Sequence, residues 1–326
     1  MGKHKKILFG VLNWGLGHAT RSIPLIRQCL NQQQEVVIAS DGEALKLLRK
    51  EFPQLEFEEL PGYRIRYSKK PEFFTLKLLS QMPHILKTMR QERQITRRLV
   101  DKHQAGRIIS DNRFGFRDER IKSVYITHQL RVLSGFTTPL TSYLHRLIYD
   151  KFDEIWVPDH EQTSNLSGKL GHLNYFNPKV KYIGVISRFQ KRDLPEKYDI
   201  LAILSGPEPQ RSLLEEKLLK EMSRLDLKTS MVLGKVEARQ SLKQINGIDV
   251  YNFLTAGELQ NLINASGLII SRPGYTSVMD LVFLGKKVLW IPTPGQREQE
   301  YLARYLSDQY GFEFQSQKHL DLKRIL

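Results

Sequence analysis

The sequence predicts an α/β fold in two domains, each built around a parallel sheet. Its 326 residues exceed what one hydrophobic core usually holds and suit two domains of about 150 residues each. Short apolar runs alternate with longer amphipathic segments from Lys6 and again from Asp199, which is typical of successive βαβ units. A charged stretch over residues 187–198 separates the two sets and is the candidate linker. We place the first domain at residues 1–188 and the second at residues 189–326.

The first domain opens with a strand, a glycine-rich turn and a helix. Cys29, the only cysteine, falls on the apolar side of that helix, so we expect it to be a core residue and not a catalytic thiol. One cysteine cannot form an intrachain disulfide, and a reducing cytoplasm is the natural compartment. Strands are predicted at residues 6–12, 35–40, 55–60, 107–110, 123–127, 154–158 and 182–186, with helices near 41–50 and 140–149 and a helical region within 61–107 interrupted at Pro83.

The second domain repeats this plan, with strands at residues 199–204, 229–233, 250–253, 268–270 and 288–291 and helices at 210–225, 257–265 and 297–306. A strand, a turn containing Pro273 and Gly274, and a helix follow one another across residues 268–285. Ligands bind at the carboxyl ends of strands in open α/β sheets, where the next helix offers free N–H groups to an anion. Gly274 admits a ligand to the backbone, and Asp280 lies about two helical turns further on. The loop therefore predicts a site for a diphosphate that carries a ribose.

A family resemblance centres on the same loop. The run from Arg272 to Asp280, with Gly285, Pro292 and Gln299 to Tyr301, resembles the C-terminal signature of glycosyltransferase family 28. The resemblance implies the GT-B architecture, in which two Rossmann-like domains face each other across a cleft. It also implies transfer of a hexose or N-acetylhexosamine from a UDP-sugar to an acceptor hydroxyl, with inversion.

Further donor contacts follow from the resemblance. Arg188 corresponds to an arginine that meets the donor diphosphate, where a guanidinium stabilises the charge of the leaving group; the alternative is an exposed linker residue. Pro273, Asp280 and Glu300 depart from the family, which has Ser, Glu and Gln at those places. The predicted donor-binding residues are Arg188, Ser205, Gly206, Gln210, Arg211, Phe253, Leu254, Thr255, Arg272, Gly274, Tyr275, Thr276, Ser277, Asp280, Gln299 and Glu300.

On the acceptor side the resemblance concerns the turn after the first strand, which ends at His18. A histidine titrates near neutrality and can accept the proton of the attacking alcohol, and the other reading of His18 is a helix cap. Asp111 follows an apolar strand and is the second candidate base, an orienter of His18 or a loop cap. The predicted acceptor-side residues, which line the site without doing chemistry, are Gly15, Gly17, His128 and Gln129.

Metal chemistry finds little support in the sequence. There is no Asp-x-Asp pair of the kind that holds a divalent ion beneath a diphosphate, and no paired His or Cys stands at ligand spacing. We expect no metal and no cofactor, with the UDP-sugar as co-substrate. The helix dipole and an arginine would then stabilise the leaving group.

The net charge of +15 predicts anionic partners such as a nucleotide sugar or a phospholipid surface. Residues 61–107 hold twelve Lys or Arg against three acids, with Phe73, Phe74 and Leu78 interleaved. Such a segment favours docking on anionic lipid headgroups, a glycolipid or polyprenyl-linked acceptor, and a peripheral location on the inner face of the membrane. The alternative is a solvated helix whose apolar face packs on the core. No apolar run reaches membrane-spanning length.

Two other functions stay open at the level of sequence. A UDP-sugar 2-epimerase shares the GT-B fold and would need acidic residues around the sugar in both domains. A non-enzymatic protein could bind nucleic acid through its positive charge, although no specific nucleic-acid motif is present. The resemblance also implies a terminal helix after a segment like residues 311–326, and the sequence stops at Leu326.

Overall fold

The computed structural model describes residues 6–64, 80–162, 164–235, 237 and 239–325, and the chain divides into two compact units, Met1–Arg188 and Phe189–Leu326. Each unit has one mostly parallel sheet with helices packed against it, which confirms the predicted α/β class. We call them the first unit and the second unit.

The sheet of the first unit reverses its strand order at the first strand. Its seven described strands run in the order β3-β2-β1-β4-β5-β6-β7, and all neighbours are parallel. The chain therefore adds β2 on one side of β1 and β4 on the other, which makes the carboxyl ends of β1 and β4 the topological switch point. The strands are β1 (Ile7–Val11), β2 (Val36–Ser40), β3 (Glu56–Glu59), β4 (Arg107–Asp111), β5 (Lys122–Ile126), β6 (Glu154–Val157) and β7 (Val180–Tyr182).

Both faces of this sheet are covered, which explains the continuous apolar runs of its central strands. All five residues of β1 are buried, as expected for a parallel strand between two layers. Phe9 packs with Ile26 on one face, and Leu8 packs with Leu99 on the other. The helices of the described part of this unit are α1 (Gly17–Asn31), α2 (Gly42–Glu51), α3 (Met82–His103) and α4 (Thr138–Tyr149).

The second unit has the same kind of reversal. Its sheet runs in the order β10-β11-β9-β8-β12-β13-β14, so that β8 lies between β9 and β12, and β10 alone pairs antiparallel among these strands. The strands are β8 (Tyr198–Ile203), β9 (Thr229–Val232), β10 (Leu242–Ile245), β11 (Ile248–Tyr251), β12 (Ser266–Ser271), β13 (Lys287–Trp290) and β14 (Glu313–Phe314). The described helices are α5 (Gln210–Met222), α6 (Ala256–Asn264), α7 (Tyr275–Phe283) and α8 (Arg297–Tyr310). A core that includes Leu214 of α5 and Met231, Ile270 and Leu289 of the strands lies between α5 and the sheet.

One predicted strand has other bounds in the structure, one predicted helix break is present, and an edge strand was missed. The strand predicted at residues 182–186 is β7, which ends at Tyr182 because its pairing with β6 stops there. Pro83 stands in the first turn of α3, where a missing N–H costs nothing. Ser80 is helical and Gln81 forms a turn before α3 begins, which agrees with the predicted interruption of the helical region at this point. The exposed edge strand β10 was not predicted, since its residues lack a buried face.

The basic segment predicted to dock on lipid falls partly outside the described residues, because residues 65–79 are not among them. Within the described part of the chain, no helix combines the length and the apolar character needed to cross a bilayer.

Candidate active site

A glycine turn brings His18 to the end of a neighbouring strand. Gly15 has a φ of 72°, a left-handed conformation that favours glycine. Gly17 begins α1, so His18 is the second residue of that helix. The His18 imidazole is half-buried, and its Nδ1 atom lies 2.8 Å from Oδ1 of Asp111, the last residue of β4. The two residues thus meet at the switch point of the first sheet.

Asp111 is fully buried and accepts hydrogen bonds from three side chains. Besides His18, the donors are Arg21, with Nε 2.8 Å from Oδ2, and Ser22, with Oγ 2.9 Å from Oδ2; Nη2 of Arg21 also donates to Oδ1. Burial by itself would raise the pKa of the Asp111 carboxyl, but the charge of Arg21 and the hydrogen bonds from Arg21 and His18 outweigh it and hold that pKa well below its usual value. An acid this strong is a poor proton acceptor, so the arrangement favours Asp111 as the residue that orients His18.

The distance between His18 and Asp111 also fixes the position of a proton. A carboxylate can only accept, so at 2.8 Å the hydrogen must sit on Nδ1 of His18. Nη2 of Arg21 lies 2.9 Å from the same nitrogen, yet Nδ1 cannot accept while it donates, and Nη2 already donates to Asp111. The Nε2 atom of His18 is then unprotonated. Among the described residues it has no hydrogen-bond partner.

The electrostatics keep His18 neutral. Burial and the charge of Arg21 lower the pKa of His18 from its usual 6.5, and the carboxylate of Asp111 opposes them without cancelling them. At pH 7 the imidazole is therefore predominantly uncharged and can take up a proton at Nε2.

His128, which follows β5, belongs to the same cluster. Nη1 of Arg21 lies 2.9 Å from Nδ1 of His128, and the Gln129 amide nitrogen lies 3.5 Å from Nε2 of His128. The structure thus brings His18, Asp111 and His128 together around Arg21, which the sequence analysis did not single out. The available signal was its position three residues after His18, which puts both on one face of α1.

The second unit places its candidate ligand loop at its own reversal of strand order. β12 lies beside β8, and the loop after β12 leads directly into α7, whose first residues are Tyr275, Thr276 and Ser277. Gly274 has a φ of −72° and a ψ of 137°, which any residue can adopt, and a Cβ on it would meet no described atom within 4 Å. Neither backbone conformation nor packing therefore requires a glycine here. Asp280 is buried on α7, at 5% exposure.

Arg272 is placed behind this loop and not in it. Its guanidinium is 1% exposed and donates to the carbonyl oxygens of Ile291, Pro292 and Gln210 and to the Gln317 side chain. These partners carry no negative charge. Among the described residues, Nε of Arg272 has no hydrogen-bond partner. Burial lowers the pKa of Arg272 to about 10, so the group stays cationic at neutral pH. The side chain holds the segment after β13, the start of α5 and the segment at Gln317 together.

The loop after β8 combines an open glycine with an internal ion pair. Gly206 has a φ of 100°, and a Cβ there would lie 3.8 Å from Oγ1 of Thr293, a buried hydroxyl without a described partner. Arg211 is buried and pairs with Glu208 and Glu215, so its guanidinium stabilises the start of α5. Ser205 is exposed.

The remaining donor candidates hold loops in the structure. Oε1 of Gln299 accepts from the N–H of Thr293 at 2.8 Å, and Oε1 of Glu300 accepts from that of Gly295 at 2.9 Å. Thr255 caps α6 in a reciprocal arrangement with Glu258. Phe253, Leu254 and Arg188 are half-buried.

Metal-ligand clusters and cavities were also sought outside these loops. Among the residues that the structure describes, no group of three or more His, Cys, Asp or Glu side chains is arranged to hold a metal ion. A polar hollow of about 600 Å³ is lined by Tyr198, Asp199, Lys228 and Thr229, at the amino ends of β8 and β9. Ligand sites of such sheets lie at the carboxyl ends, so we do not assign the hollow to the site.

Comparisons with known proteins test the predicted fold and enzyme class. Residues 210–326 match the glycosyltransferase family 28 C-terminal domain. An uncharacterized glycosyltransferase of Methanopyrus kandleri is 22% identical over 314 residues, which cover 89% of this chain and 83% of that protein. The solved glycotransferase of kitacinnamycin has a TM-score of 0.69 at 13% identity, over 99% of this chain and 89% of its own.

The MurG protein of Acinetobacter baumannii has a TM-score of 0.57 at 14% identity, over 98% of this chain and 88% of its own. These matches favour neither the 2-epimerase nor the nucleic-acid-binding alternative. They confirm the predicted fold and enzyme class. The chain is a glycosyltransferase of the GT-B fold, and its residues 210–326 are similar to the C-terminal domain of glycosyltransferase family 28.

Proposed function

We propose that this enzyme moves a hexose or N-acetylhexosamine from a UDP-sugar to an acceptor hydroxyl, with inversion at the anomeric carbon. The observation that carries the proposal is the 2.8 Å contact between His18 and Asp111, which leaves Nε2 of His18 as a proton acceptor. The acceptor oxygen bonds to the anomeric carbon while the bond from that carbon to the diphosphate breaks. The proton passes to Nε2, and UDP leaves with the electron pair. A single displacement of this kind inverts the anomeric centre.

Asp111 contributes to the step without changing its own protonation. When Nε2 takes the proton, the imidazole becomes a cation, and the adjacent carboxylate stabilises the charge that forms. The depressed pKa of Asp111 keeps it ionised throughout. His18 is thus the proposed base, and Asp111 orients it.

The donor diphosphate is proposed to lie at the start of α7. The first N–H groups of a helix and the positive end of its dipole attract an anion, and Gly274 leaves the backbone open beside them. Two buried polar atoms near this edge, Nε of Arg272 and Oγ1 of Thr293, lack partners within the described chain. A buried cation without a counter-charge favours an anionic ligand nearby. Asp280 is the proposed contact for the ribose.

Metal independence is part of the proposal. Divalent ions in other sugar-nucleotide enzymes neutralise the diphosphate, and here the α7 terminus and the Arg272 cation would serve that purpose. No cofactor is required for a displacement between a UDP-sugar and an alcohol.

For the acceptor we propose a lipid-linked molecule at an anionic membrane surface. Phe136, Leu140, Tyr143 and Leu147 are exposed and recur at spacings of four, three and four residues, so they form one stripe along α4 and the turn before it. We call this set the α4 stripe. Residues 128–149 contain Arg131 and Arg146 and no Asp or Glu, which suits an anionic surface.

The α4 stripe is connected to the proposed catalytic loop. Ser142 and Thr141 of α4 hydrogen-bond the N–H and the carbonyl of Val132, four residues beyond His128. The α4 stripe is therefore close, in sequence and in structure, to the loop that carries His128. A bilayer bound by the stripe would lie near the proposed acceptor side. This placement supports peripheral binding at the cytoplasmic face, where a lipid-linked hydroxyl could be delivered to His18.

Isothermal titration with UDP, TDP, GDP and ADP, each with excess chelator, tests the donor proposal. We expect UDP to bind without metal and to raise the melting temperature, since a ligand at 100 times its Kd stabilises by about 2.7 kcal/mol. Tighter binding of another nucleotide would show that the donor is not a UDP-sugar. Binding only with added Mg²⁺ would refute metal independence.

A further inference from the structure

Arg21 is the hub of the His18 cluster. It is 3% exposed on α1, and its three guanidinium nitrogens reach two different elements. Nε and Nη2 donate to the two oxygens of Asp111 on β4, and Nη1 lies 2.9 Å from Nδ1 of His128 beyond β5. A planar fork with fixed donor directions is suited to such bridging, and an ammonium group is not.

The bridge determines where each histidine carries its proton. Arginine is only a donor, so the contact from Nη1 requires Nδ1 of His128 to accept, which puts the hydrogen of the neutral ring on Nε2. The Gln129 amide at 3.5 Å would then turn its oxygen towards that N–H. In His18 the order is reversed, because Nδ1 donates to Asp111 and Nε2 is bare.

We infer that Arg21 is a positioning residue that fixes His18 and His128 in opposite tautomers through one guanidinium. His18 then offers a bare Nε2 that can accept a proton, and His128 holds its hydrogen on Nε2, on the side of the Gln129 amide. The catalytic meaning of this pair rests on the proposed function. The tautomers themselves do not, and they can be measured without substrate.

The charges around Arg21 allow a second, independent readout. The groups that face it are His18 and Ser22 on α1, Asp111 on β4, and His128 after β5, with the buried Tyr125 hydroxyl nearby. After burial, the charge of Arg21 is the main influence that lowers the pKa of His18, while Asp111 raises it. Removing Arg21 should therefore raise the His18 titration midpoint, and removing the charge of Asp111 should lower it.

Long-range ¹H–¹⁵N spectra of histidine-labelled protein report both tautomer and titration. In the wild type we expect Nδ1–H for His18 and Nε2–H for His128, assigned with His18→Gln and His128→Gln. In Arg21→Met, His128 should populate Nδ1–H and the His18 midpoint should rise, whereas Asp111→Asn should move that midpoint down. Arg27→Met on the exposed face of α1 is the matched control and should change neither.

Arg21→Lys separates charge from geometry. A lysine keeps the cation near His18, so the His18 midpoint should stay low, but one ammonium cannot hold Asp111 and His128 together, so His128 should be released. This variant also decides the question if Arg21→Met fails to fold. An unchanged His128 tautomer in Arg21→Lys would overturn the inference.

Measurements of sugar transfer distinguish the inference about Arg21 from the proposed function. With a verified acceptor, Arg21→Lys should lower kcat by up to about 10²-fold through misplaced groups, with UDP affinity unchanged. If the two histidines have opposite tautomers but no sugar is transferred, the role of Arg21 is supported and the proposed function is refuted. If sugar is transferred by an enzyme whose two histidines share one tautomer, the proposed function is supported and the role of Arg21 is refuted.

Discussion

Nδ1 of His18 lies 2.8 Å from Oδ1 of Asp111, although 93 positions separate the two residues in the sequence. They meet because β1 and β4 are neighbours at the point where the strand order of the first sheet reverses. Five backbone pairs between these strands set the register that brings Val11 beside Asp111, so the His18 turn begins next to the carboxylate.

His18→Gln should lower kcat by roughly 10² to 10⁴, the range that a positioned base contributes, with nearly unchanged UDP affinity. Because the pKa of His18 is lowered from 6.5, the acid limb of kcat/KM in the wild type should fall below that pH. Asp111→Asn should shift this limb lower still, since it removes the charge that raises the pKa, and should cost less in kcat. A larger loss in Asp111→Asn than in His18→Gln would make Asp111 the base.

Gly274→Val should leave the protein folded and weaken nucleotide binding. The backbone there suits any residue and no described atom stands within 4 Å of the added Cβ. Gly274 is the N-cap of α7, where valine is a poorer cap, so the unfolding free energy should fall by no more than about 1 kcal/mol. If a diphosphate approaches this backbone, the Kd for UDP should rise at least about tenfold, equivalent to about 1.4 kcal/mol. Gly257→Val, an equally unobstructed position on α6, is the control. Unchanged UDP binding in Gly274→Val would move the diphosphate elsewhere.

The double change Phe136→Ser and Leu140→Ser should reduce binding to vesicles that contain anionic lipid, measured by co-sedimentation. Both side chains are exposed, so thermal stability should be retained, and the remaining electrostatic attraction should weaken as salt shortens the Debye length below about 8 Å. Phe283→Ser, an exposed aromatic residue in the second unit, is the matched control. Equal binding of wild type and double variant would refute the α4 stripe as a lipid surface.

The fold could be predicted because parallel strands buried on both faces leave continuous apolar runs such as Ile7–Val11. The short edge strands β10 and β14 could not, since β10 is exposed at every position and β14 has only two residues. Apolar periodicity carries no information about strands that bury nothing.

Within the site, the turn at His18 and the strand end at Asp111 were visible because ligands gather at carboxyl strand ends. Arg21 was not, because an arginine on an amphipathic helix is normally solvated and its partners come from β4 and the loop after β5. The sequence likewise indicated Arg272 as a ligand contact, whereas its guanidinium is engaged by carbonyl groups that only the folded chain assembles. Motif and position predict where a residue lies, and long-range contacts determine where its side chain goes.

Acid stability should depend on Glu154, whose pKa is about 2. Burial would raise that pKa, but hydrogen bonds from Lys122, Lys181 and Trp156 outweigh it. A carboxyl with a depressed folded pKa stabilises the fold above its unfolded value near 4.5, and this stabilisation is lost as the pH falls towards 2. Glu154→Gln should cost about 1–2 kcal/mol at pH 7, since its lysine partners are solvent-screened, and nothing near pH 2. Urea unfolding at several pH values measures this, with the exposed Glu161→Gln as control; a pH-independent difference would contradict the ion-pair origin.

Arg272→Met separates the structural role of this side chain from its proposed electrostatic one. The variant loses four hydrogen bonds that hold the segment after β13, the start of α5 and Gln317, so the apo protein should be destabilised by about 1–3 kcal/mol. If the buried cation also stabilises a diphosphate, the Kd for UDP should rise about 10- to 100-fold while the Kd for uridine, which lacks the charge, changes little. Gln317→Met, which removes one of the four contacts and no charge, should leave the ratio of the two dissociation constants near its wild-type value. Calorimetric titration of both ligands against the three proteins decides the matter, because an equal loss for UDP and uridine in Arg272→Met would make Arg272 a loop anchor with no part in holding the diphosphate.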